Sequence, residues 1–226
     1  MKGRRQRRRF LLFLLLLCTC ALWLWMTYTP APDYRSDGRL RVCIDAGHGG
    51  SDPGATDAAG IRLEKDDTLA LALAAQQHLN TNYPNIEVLL TRDTDTALTL
   101  QQRCKTANDF RADLFISIHR NSAENDAGGT EIWIPSGKPT ADRALAEAIL
   151  QRLNEVGLSD NRGIKGGTAG NPGGNYYVLG NTNMPACLIE LGFISNTEDN
   201  RLLDIHREDY ARAIADGIAA ILLSES

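Results

Sequence analysis

The sequence predicts a three-layer α/β fold, in which helices flank a mostly parallel, mixed six-stranded sheet, and three observations favour it. Six short segments typical of strands alternate with segments typical of helices. Val42, Cys43 and Ile44 form a short apolar run, as expected for a buried strand. The glycine-rich stretch DAGHGG follows at once and places His48 where this strand ends and a loop begins. In open α/β sheets, ligands bind at this carboxyl end of the strands.

The strands are predicted from short apolar runs between polar or glycine-rich segments. They are expected at residues 42–44, 86–90, 113–118, 129–134, 176–179 and 186–191. Residues 161–175 are rich in glycine and predict a loop. With 226 residues, 43% of them hydrophobic, the chain is long enough for one domain with a sizeable core.

The helices are predicted from amphipathic periodicity and from residues that suit helix ends. Asp66 and Asp67 favour the positive end of a helix over 66–80, and Thr99 with Gln102 forms a capping-box pattern that opens a second helix. Apolar periodicity predicts three more helices, at 140–156, 196–203 and 207–223.

The amino-terminal region predicts a membrane anchor. Residues 1–9 include six basic residues and no acidic one, and residues 10–28 carry no charge. As a helix, 10–28 would span about 28 Å, close to the thickness of a bilayer core. The basic tail predicts that residues 1–9 are cytoplasmic and that everything beyond the anchor, a linker at 29–39 and a catalytic domain at 40–226, lies outside the cytoplasmic membrane. A cleaved signal peptide is the alternative.

Charge and cysteine content argue against a nucleic-acid-binding protein and against a disulfide-stabilised fold. The chain has 24 basic residues, of which six lie in the tail, and 28 acidic residues, none of which does. This acidic balance argues against a nucleic-acid partner. Cys43, Cys104 and Cys187 are an odd number outside the anchor and do not form a disulfide framework, so we expect them to fill the core.

Four residues near predicted strand ends or a helix start are candidates for chemistry: His48, Glu64, His119 and Glu190. Each also has a structural explanation. His48 could be a turn histidine, Glu64 could satisfy a helix dipole, and His119 could be a core histidine. Glu190 is the most informative, because a carboxylate within the apolar LIELGF segment is costly to bury unless it is paired or used. His78 and His206 lie away from strand ends, and we expect surface or packing roles for both.

Together these residue types suit a catalytic zinc site. Two imidazoles and one carboxylate are a zinc ligand set that leaves a fourth position for water, whose pKa zinc lowers to about 7. A second carboxylate, off the metal, can take a proton from that water and give it to a leaving amine. Hydrolysis of an amide needs both transfers.

The segments IDAGHGGSDPGA, LEKD, LLTRDTD, ADLFISIHRN, GTEIW and YYVLGNTNMPACLIELGFISN follow one another in the order typical of a known family. In these segments the chain resembles the zinc-dependent N-acetylmuramoyl-L-alanine amidases, which hydrolyse cell walls. The resemblance implies that His48, Glu64 and His119 bind Zn²⁺ and that Glu190 is the catalytic acid and base. It implies a mixed six-stranded sheet and peptidoglycan as substrate, cut between the lactyl group of N-acetylmuramic acid and L-alanine. The anchor and single domain are similar to those of spore-cortex amidases and of some wall-remodelling relatives.

One departure from the family pattern concerns the residues after His119. The family usually has a small or apolar residue where this chain has Arg120. We expect Arg120 and Asn121 to contact substrate, with the Arg120 guanidinium beside the metal and paired with a substrate carboxylate. We expect a monomer. Two alternatives stay open: another zinc amide hydrolase, such as a peptidase or sugar deacetylase, or a non-catalytic wall-binding relative.

Overall fold

One mixed sheet organises the residues that the computed structural model describes, 38–137 and 139–224. Its six strands run in the order β2-β1-β3-β6-β4-β5, and β4 pairs antiparallel with β6 while the other pairs are parallel. The strands are β1 Leu40–Ala46, β2 Ile86–Leu90, β3 Leu114–Asn121, β4 Thr130–Ile134, β5 Asn161–Gly166 and β6 Ala186–Phe193. The mixed six-stranded sheet predicted from the sequence is therefore confirmed.

Five helices in the described residues cover the sheet: α1 Glu64–Asn82, α2 Leu100–Phe110, α3 Thr140–Val156, α4 Tyr177–Gly180 and α5 Thr197–Ser224. The predicted capping box is present, since Thr99 accepts a hydrogen bond from the Gln102 amide and the Gln102 side chain accepts one from Thr99. The two predicted carboxyl-terminal helices are both present, because α5 consists of two helical segments separated by non-helical backbone angles at His206 (φ −113°, ψ 17°).

Two expectations about the fold are wrong. Residues 176–179, predicted as the fifth strand, lie mainly in the short helix α4, and the fifth strand is Asn161–Gly166, inside the segment predicted as a loop. This strand has the sequence NRGIKG and lies at the edge of the sheet, where it pairs only with β4. Edge strands are often polar, so hydrophobicity did not mark it.

The core has a part on each face of the sheet. The larger part packs side chains such as Ile44, Ile116 and Ile118 against apolar residues of α1, α3 and α5. The smaller part packs Phe115, Leu188 and other residues against α2 and α4. Because side chains alternate along a strand, neighbouring residues belong to different parts, and this alternation decides which residues lie on the same face as His119.

The predicted tail, anchor and most of the linker lie outside the described residues, so those boundaries stay predictions. Chain contacts delimit a compact unit at Arg39–Ser226. Among the residues that the structure describes, none of the helices is both long enough and apolar enough to cross a membrane. Cys43, Cys104 and Cys187 are free and buried, as expected for residues that fill the core.

Candidate metal centre and active site

His48 lies in a sharp turn directly after β1. Its backbone φ is 59°, in the left-handed region that residues other than glycine seldom adopt. Arg103, from α2, donates hydrogen bonds of 2.7 Å to the carbonyls of Ala46 and His48. Arg92 donates to the carbonyls of Ala46 and Gly47 at 2.9 and 2.8 Å. Two buried guanidinium groups therefore fix the backbone that carries His48.

Glu64 lies between His48 and His119. The Glu64 carboxylate is 3.1 Å from His48 Nε2 through Oε2 and 2.9 Å from His119 Nδ1 through Oε1. One potential ligand atom from each of the three residues lies within 4.8 Å of the others. Glu64 is the first residue of α1, His48 follows the end of β1, and His119 lies near the end of β3. These three elements thus bring the three predicted ligands together.

The space around these side chains depends on glycine. A methyl group at Gly47 would overlap the His119 imidazole, and one at Gly54 would lie 2.6 Å from Glu64 Oε2. Gly54 also has a φ of 68°, which suits glycine. Two imidazole nitrogens and one carboxylate oxygen form the donor set of many catalytic zinc sites, so the residues present fit that metal.

Without a metal, the electrostatics of the group favour an ionised Glu64 and the protonated form of His48. Burial alone would raise the pKa of Glu64, but hydrogen bonds with His119 and His48 lower it well below the usual range. Burial alone would lower the pKa of His48, but hydrogen bonds to Glu64 and Asp52 raise it. Asp52 Oδ2 lies 2.9 Å from His48 Nδ1, the ring nitrogen that faces away from Glu64.

Glu190 is directly beside His119 across the sheet, because β3 and β6 pair these two residues in register. Its Oε2 is buried and has no hydrogen-bond partner among the described residues. Burial, followed by the negative charges of Glu64 and Glu131, raises the pKa of Glu190 well above its usual range. Glu190 therefore places a buried carboxyl oxygen without a hydrogen-bond partner among the described residues beside the three candidate metal ligands.

A cleft of about 540 Å³ opens over this group. Its lining includes His48, Glu64, His119 and Glu190, so the structure brings all four predicted residues to one site. The other lining residues include Leu98, Leu100, Tyr176 and Tyr177. The cleft thus combines a compact polar centre with apolar and aromatic walls, which is typical of small-molecule and substrate sites.

The expectation for the Arg120 side chain is wrong. Arg120 follows His119 on β3, so its side chain points to the opposite face, where Nη1 donates to Asp67 at 2.6 Å and Nη2 to Asn200 at 2.8 Å. The side chain is buried, and only the backbone amide serves the site, by donating to Glu64 Oε1 at 2.9 Å. The guanidinium group is therefore bound to Asp67 and Asn200 and not beside the three candidate metal ligands.

Asn121 also lies in the lining of the cleft, and its contact with substrate stays a prediction. Its Nδ2 donates to Glu131 Oε1 at 3.1 Å. Glu131, on β4, pairs in register with Glu190 and is buried. Sequence reasoning missed Glu131, although its place in the GTEIW segment put a carboxylate among apolar residues, the same signal that marked Glu190.

Two histidines lie apart from this centre, as predicted. His78 bonds Asp216 at 2.9 Å and His206 lies 3.3 Å from Asp209, both among the helices. Sequence reasoning also missed Arg92, Arg103 and Asp52. The two arginines gave no signal, because only the folded chain shows that they are buried against backbone carbonyls.

Comparison with known proteins places these features in context. The family model described as N-acetylmuramoyl-L-alanine amidase matches residues 42–220. The chain is 38% identical over 182 residues to the N-acetylmuramoyl-L-alanine amidase CwlM of Bacillus licheniformis, covering 80% of this chain and 68% of CwlM. It is 35% identical to the probable cell wall amidase LytH of Staphylococcus aureus over 78% of this chain, but spans only 56% of LytH.

Solved structures show the same fold. The catalytic domain of CwlV, an N-acetylmuramoyl-L-alanine amidase from Bacillus (Paenibacillus) polymyxa, superimposes with a TM-score of 0.71 at 38% identity, covering 80% of this chain and 97% of CwlV. An N-acetylmuramoyl-L-alanine amidase from Clostridium difficile gives a TM-score of 0.75 at 31% identity, covering 83% and 99% of the two chains.

Proposed function

Because the chain belongs to the N-acetylmuramoyl-L-alanine amidase family, we propose that it uses zinc to cleave the amide between N-acetylmuramic acid and L-alanine in peptidoglycan. The observation that carries this proposal is the grouping of His48, Glu64 and His119 within 4.8 Å. Glu190 stands beside them, in register with His119. His48, Glu64 and His119 would hold the metal through two imidazole nitrogens and a carboxylate oxygen.

The mechanism assigns different work to the two glutamates. When bound, zinc would supply Lewis-acid activation of water and of the substrate carbonyl. Glu64, whose pKa is lowered, stays ionised and serves as a ligand. The raised pKa of Glu190 makes its carboxylate a stronger base. This suits a group that accepts a proton and later returns it. Glu190 takes a proton from the attacking water and donates one to the departing L-alanine nitrogen.

Other residues position substrate and site. Asn121 lines the cleft, and we assign it a contact with substrate. Arg103 and Arg92 hold the turn of His48 through backbone carbonyls and need not touch substrate. Leu98 and Leu100 add apolar surface to the cleft, against which apolar parts of the substrate can pack.

Digestion of purified peptidoglycan tests this function directly. We expect peptides that begin with L-alanine, together with glycan that keeps intact N-acetylmuramic acid, when the products are identified by mass spectrometry. A chelator should stop product release and added zinc should restore it. Cleavage inside the stem peptide would indicate a peptidase, loss of acetyl groups would indicate a deacetylase, and binding without products would indicate a wall-binding relative.

The proposed location is the outer side of the cytoplasmic membrane, with the catalytic domain as a monomer. Support comes from the sequence alone, through the basic residues 1–9 and the uncharged residues 10–28. A reporter fused to the carboxyl terminus should be exposed outside the cytoplasm. A cytoplasmic reporter, or full-length protein in the soluble fraction, would contradict this location.

A further inference from the structure

Two basic side chains of β5 lie beside the active-site face without being part of the metal group. Arg162 Nε donates to Glu131 Oε2 at 3.0 Å, and Lys165 Nζ lies 3.9 Å from the same oxygen. Both side chains are about one third exposed, 33% for Arg162 and 38% for Lys165. A single carboxylate therefore faces two cations that solvent can reach.

Strand register relates these cations to the reacting groups. His119, Glu190 and Glu131 are neighbours on β3, β6 and β4, and Glu131 pairs in turn with Gly163 of β5, between Arg162 and Lys165. Neighbouring strands are about 4.8 Å apart, so Glu131 lies about 10 Å along the sheet from His119. The four residues form one line from the metal group to the sheet edge.

Glu131 already has hydrogen-bond donors for its other oxygen. Asn121 Nδ2 and Trp133 Nε1 each donate to Oε1 at 3.1 Å. Asn121 lines the cleft, and Trp133 packs edge-on against Tyr176 of the cleft wall, with ring centroids 5.6 Å apart. The Glu131 carboxylate thus links the two cations to Asn121 of the cleft. Its single negative charge leaves the cluster of Glu131, Arg162 and Lys165 with a net positive charge.

A positive cluster at this distance suits an anion on the substrate. The chain as a whole is acidic, with 28 acidic and 24 basic residues, so an anionic group has to be held by local contacts. An extended peptide advances about 3.3–3.6 Å per residue, so about three residues beyond the cleaved amide span the roughly 10 Å from His119 to Glu131, beside which both cations lie. Guanidinium and ammonium groups bind carboxylates through strong charge-assisted hydrogen bonds.

We propose that Arg162 and Lys165 form a binding subsite for a carboxylate of the stem peptide. This inference rests on the proposed function and extends it. The stem peptide runs from Glu190 across β4 toward β5, and the glycan occupies the other side of the cleft. The enzyme accordingly prefers stems with free carboxylates to stems in which those groups are amidated.

Two muramyl tripeptides that differ only in whether their carboxyl groups are free or amidated test the subsite. One carries free carboxylates and the other carries carboxamides at the same positions. With the full-length chain, Lys165→Gln should raise KM for the free-acid tripeptide about tenfold and leave its kcat unchanged, because the contact serves binding. KM for the amidated tripeptide should stay the same, and Lys165→Arg should restore binding of the free acid.

Matched variants and outcomes separate this proposal from the proposed function. Lys105→Gln removes an exposed cation on α2 that pairs with Asp109, away from the subsite, and should change neither KM. Arg162→Gln should change KM for the two tripeptides in the same way as Lys165→Gln. Thermal unfolding checks that the variant still folds when Glu131 has lost its bond from Arg162. Equal effects of Lys165→Gln on both tripeptides, or none on either, would overturn the subsite alone. Failure of the wild-type chain to cleave either tripeptide would overturn the proposed function and the subsite with it.

Discussion

Arg103 donates a hydrogen bond of 2.7 Å to the backbone carbonyl of His48. The same guanidinium group binds the buried carboxylate of Asp45 at 2.7 Å. His48 has a φ of 59°, and a backbone in this region costs on the order of 1–3 kcal/mol outside glycine. The conformation that presents this proposed metal ligand is therefore held by a buried ion pair between α2 and β1.

Replacement of Arg103 tests this support. Arg103→Gln leaves Asp45 buried without its cation, and we expect the free energy of unfolding to fall by about 3–5 kcal/mol. Zinc affinity should fall as well, because the turn of His48 loses a donor. Denaturant unfolding and zinc titration measure the two effects. Arg201→Gln, which removes an exposed partner of Glu198, is the control and should change little. A change below about 1 kcal/mol for Arg103→Gln would refute the supporting role.

Asp52 should affect metal binding more than stability. Its carboxylate is largely exposed but holds Nδ1 of His48, and such outer partners of metal-binding histidines typically contribute a factor of about 10–100 in affinity. We expect Asp52→Ala to weaken zinc binding by that factor, as measured by competition with a chelating dye. Asp95→Ala is the control, because Asp95 anchors the same loop through the Gly50 amide without touching an imidazole. Equal zinc affinities in the two variants would argue against an orienting role for Asp52.

The position of Arg120 predicts a loss of stability rather than of substrate affinity. Arg120→Met removes the guanidinium group from Asp67, which keeps a second partner, Arg62, at 2.8 Å. We therefore expect a loss of about 1–3 kcal/mol in the free energy of unfolding. KM at temperatures where the variant is folded should be unchanged. An increase in KM without a loss of stability would instead support a substrate contact.

The pH dependence of stability should differ between the metal-free and zinc-bound protein. In the metal-free protein, the pKa of His48 is raised, so its pairing with Glu64 stabilises the fold below the unfolded pKa of about 6.5 and is lost as pH rises through the folded pKa. Zinc needs the neutral imidazole, so the stabilisation that zinc provides should grow between about pH 6 and about pH 8. Thermal unfolding with chelator and with zinc measures this difference. A zinc effect independent of pH would contradict the ligand role of His48.

Local sequence patterns predicted most of the sheet and the four central site residues. The apolar runs of β2, β4 and β6 and the capping box at Thr99 depend on neighbouring residues, and the structure agrees with them. The strand alternation that places His119 and Arg120 on opposite faces was also present in the sequence, and applying it would have corrected the expectation for Arg120.

Other features depend on contacts between distant residues. The polar edge strand β5 forms because β4 offers it a partner, and nothing within NRGIKG identifies it as a strand. Arg92 and Arg103 are buried only because the turn of His48 presents carbonyls to both. Buried charges of this kind can be recognised only once their partners are in place.

The role of Glu190 is the central claim, and Glu190→Gln tests it most directly. The side chains are nearly equal in size, so packing on β6 should survive, while the proton transfers should be lost at a cost of about 10²–10⁴ in rate. Metal content, thermal unfolding and turnover on muropeptides should be measured on one preparation. The account predicts full zinc content and wild-type stability with turnover reduced by that factor. Loss of zinc would make Glu190 a ligand, and turnover near that of the wild type would contradict the mechanism.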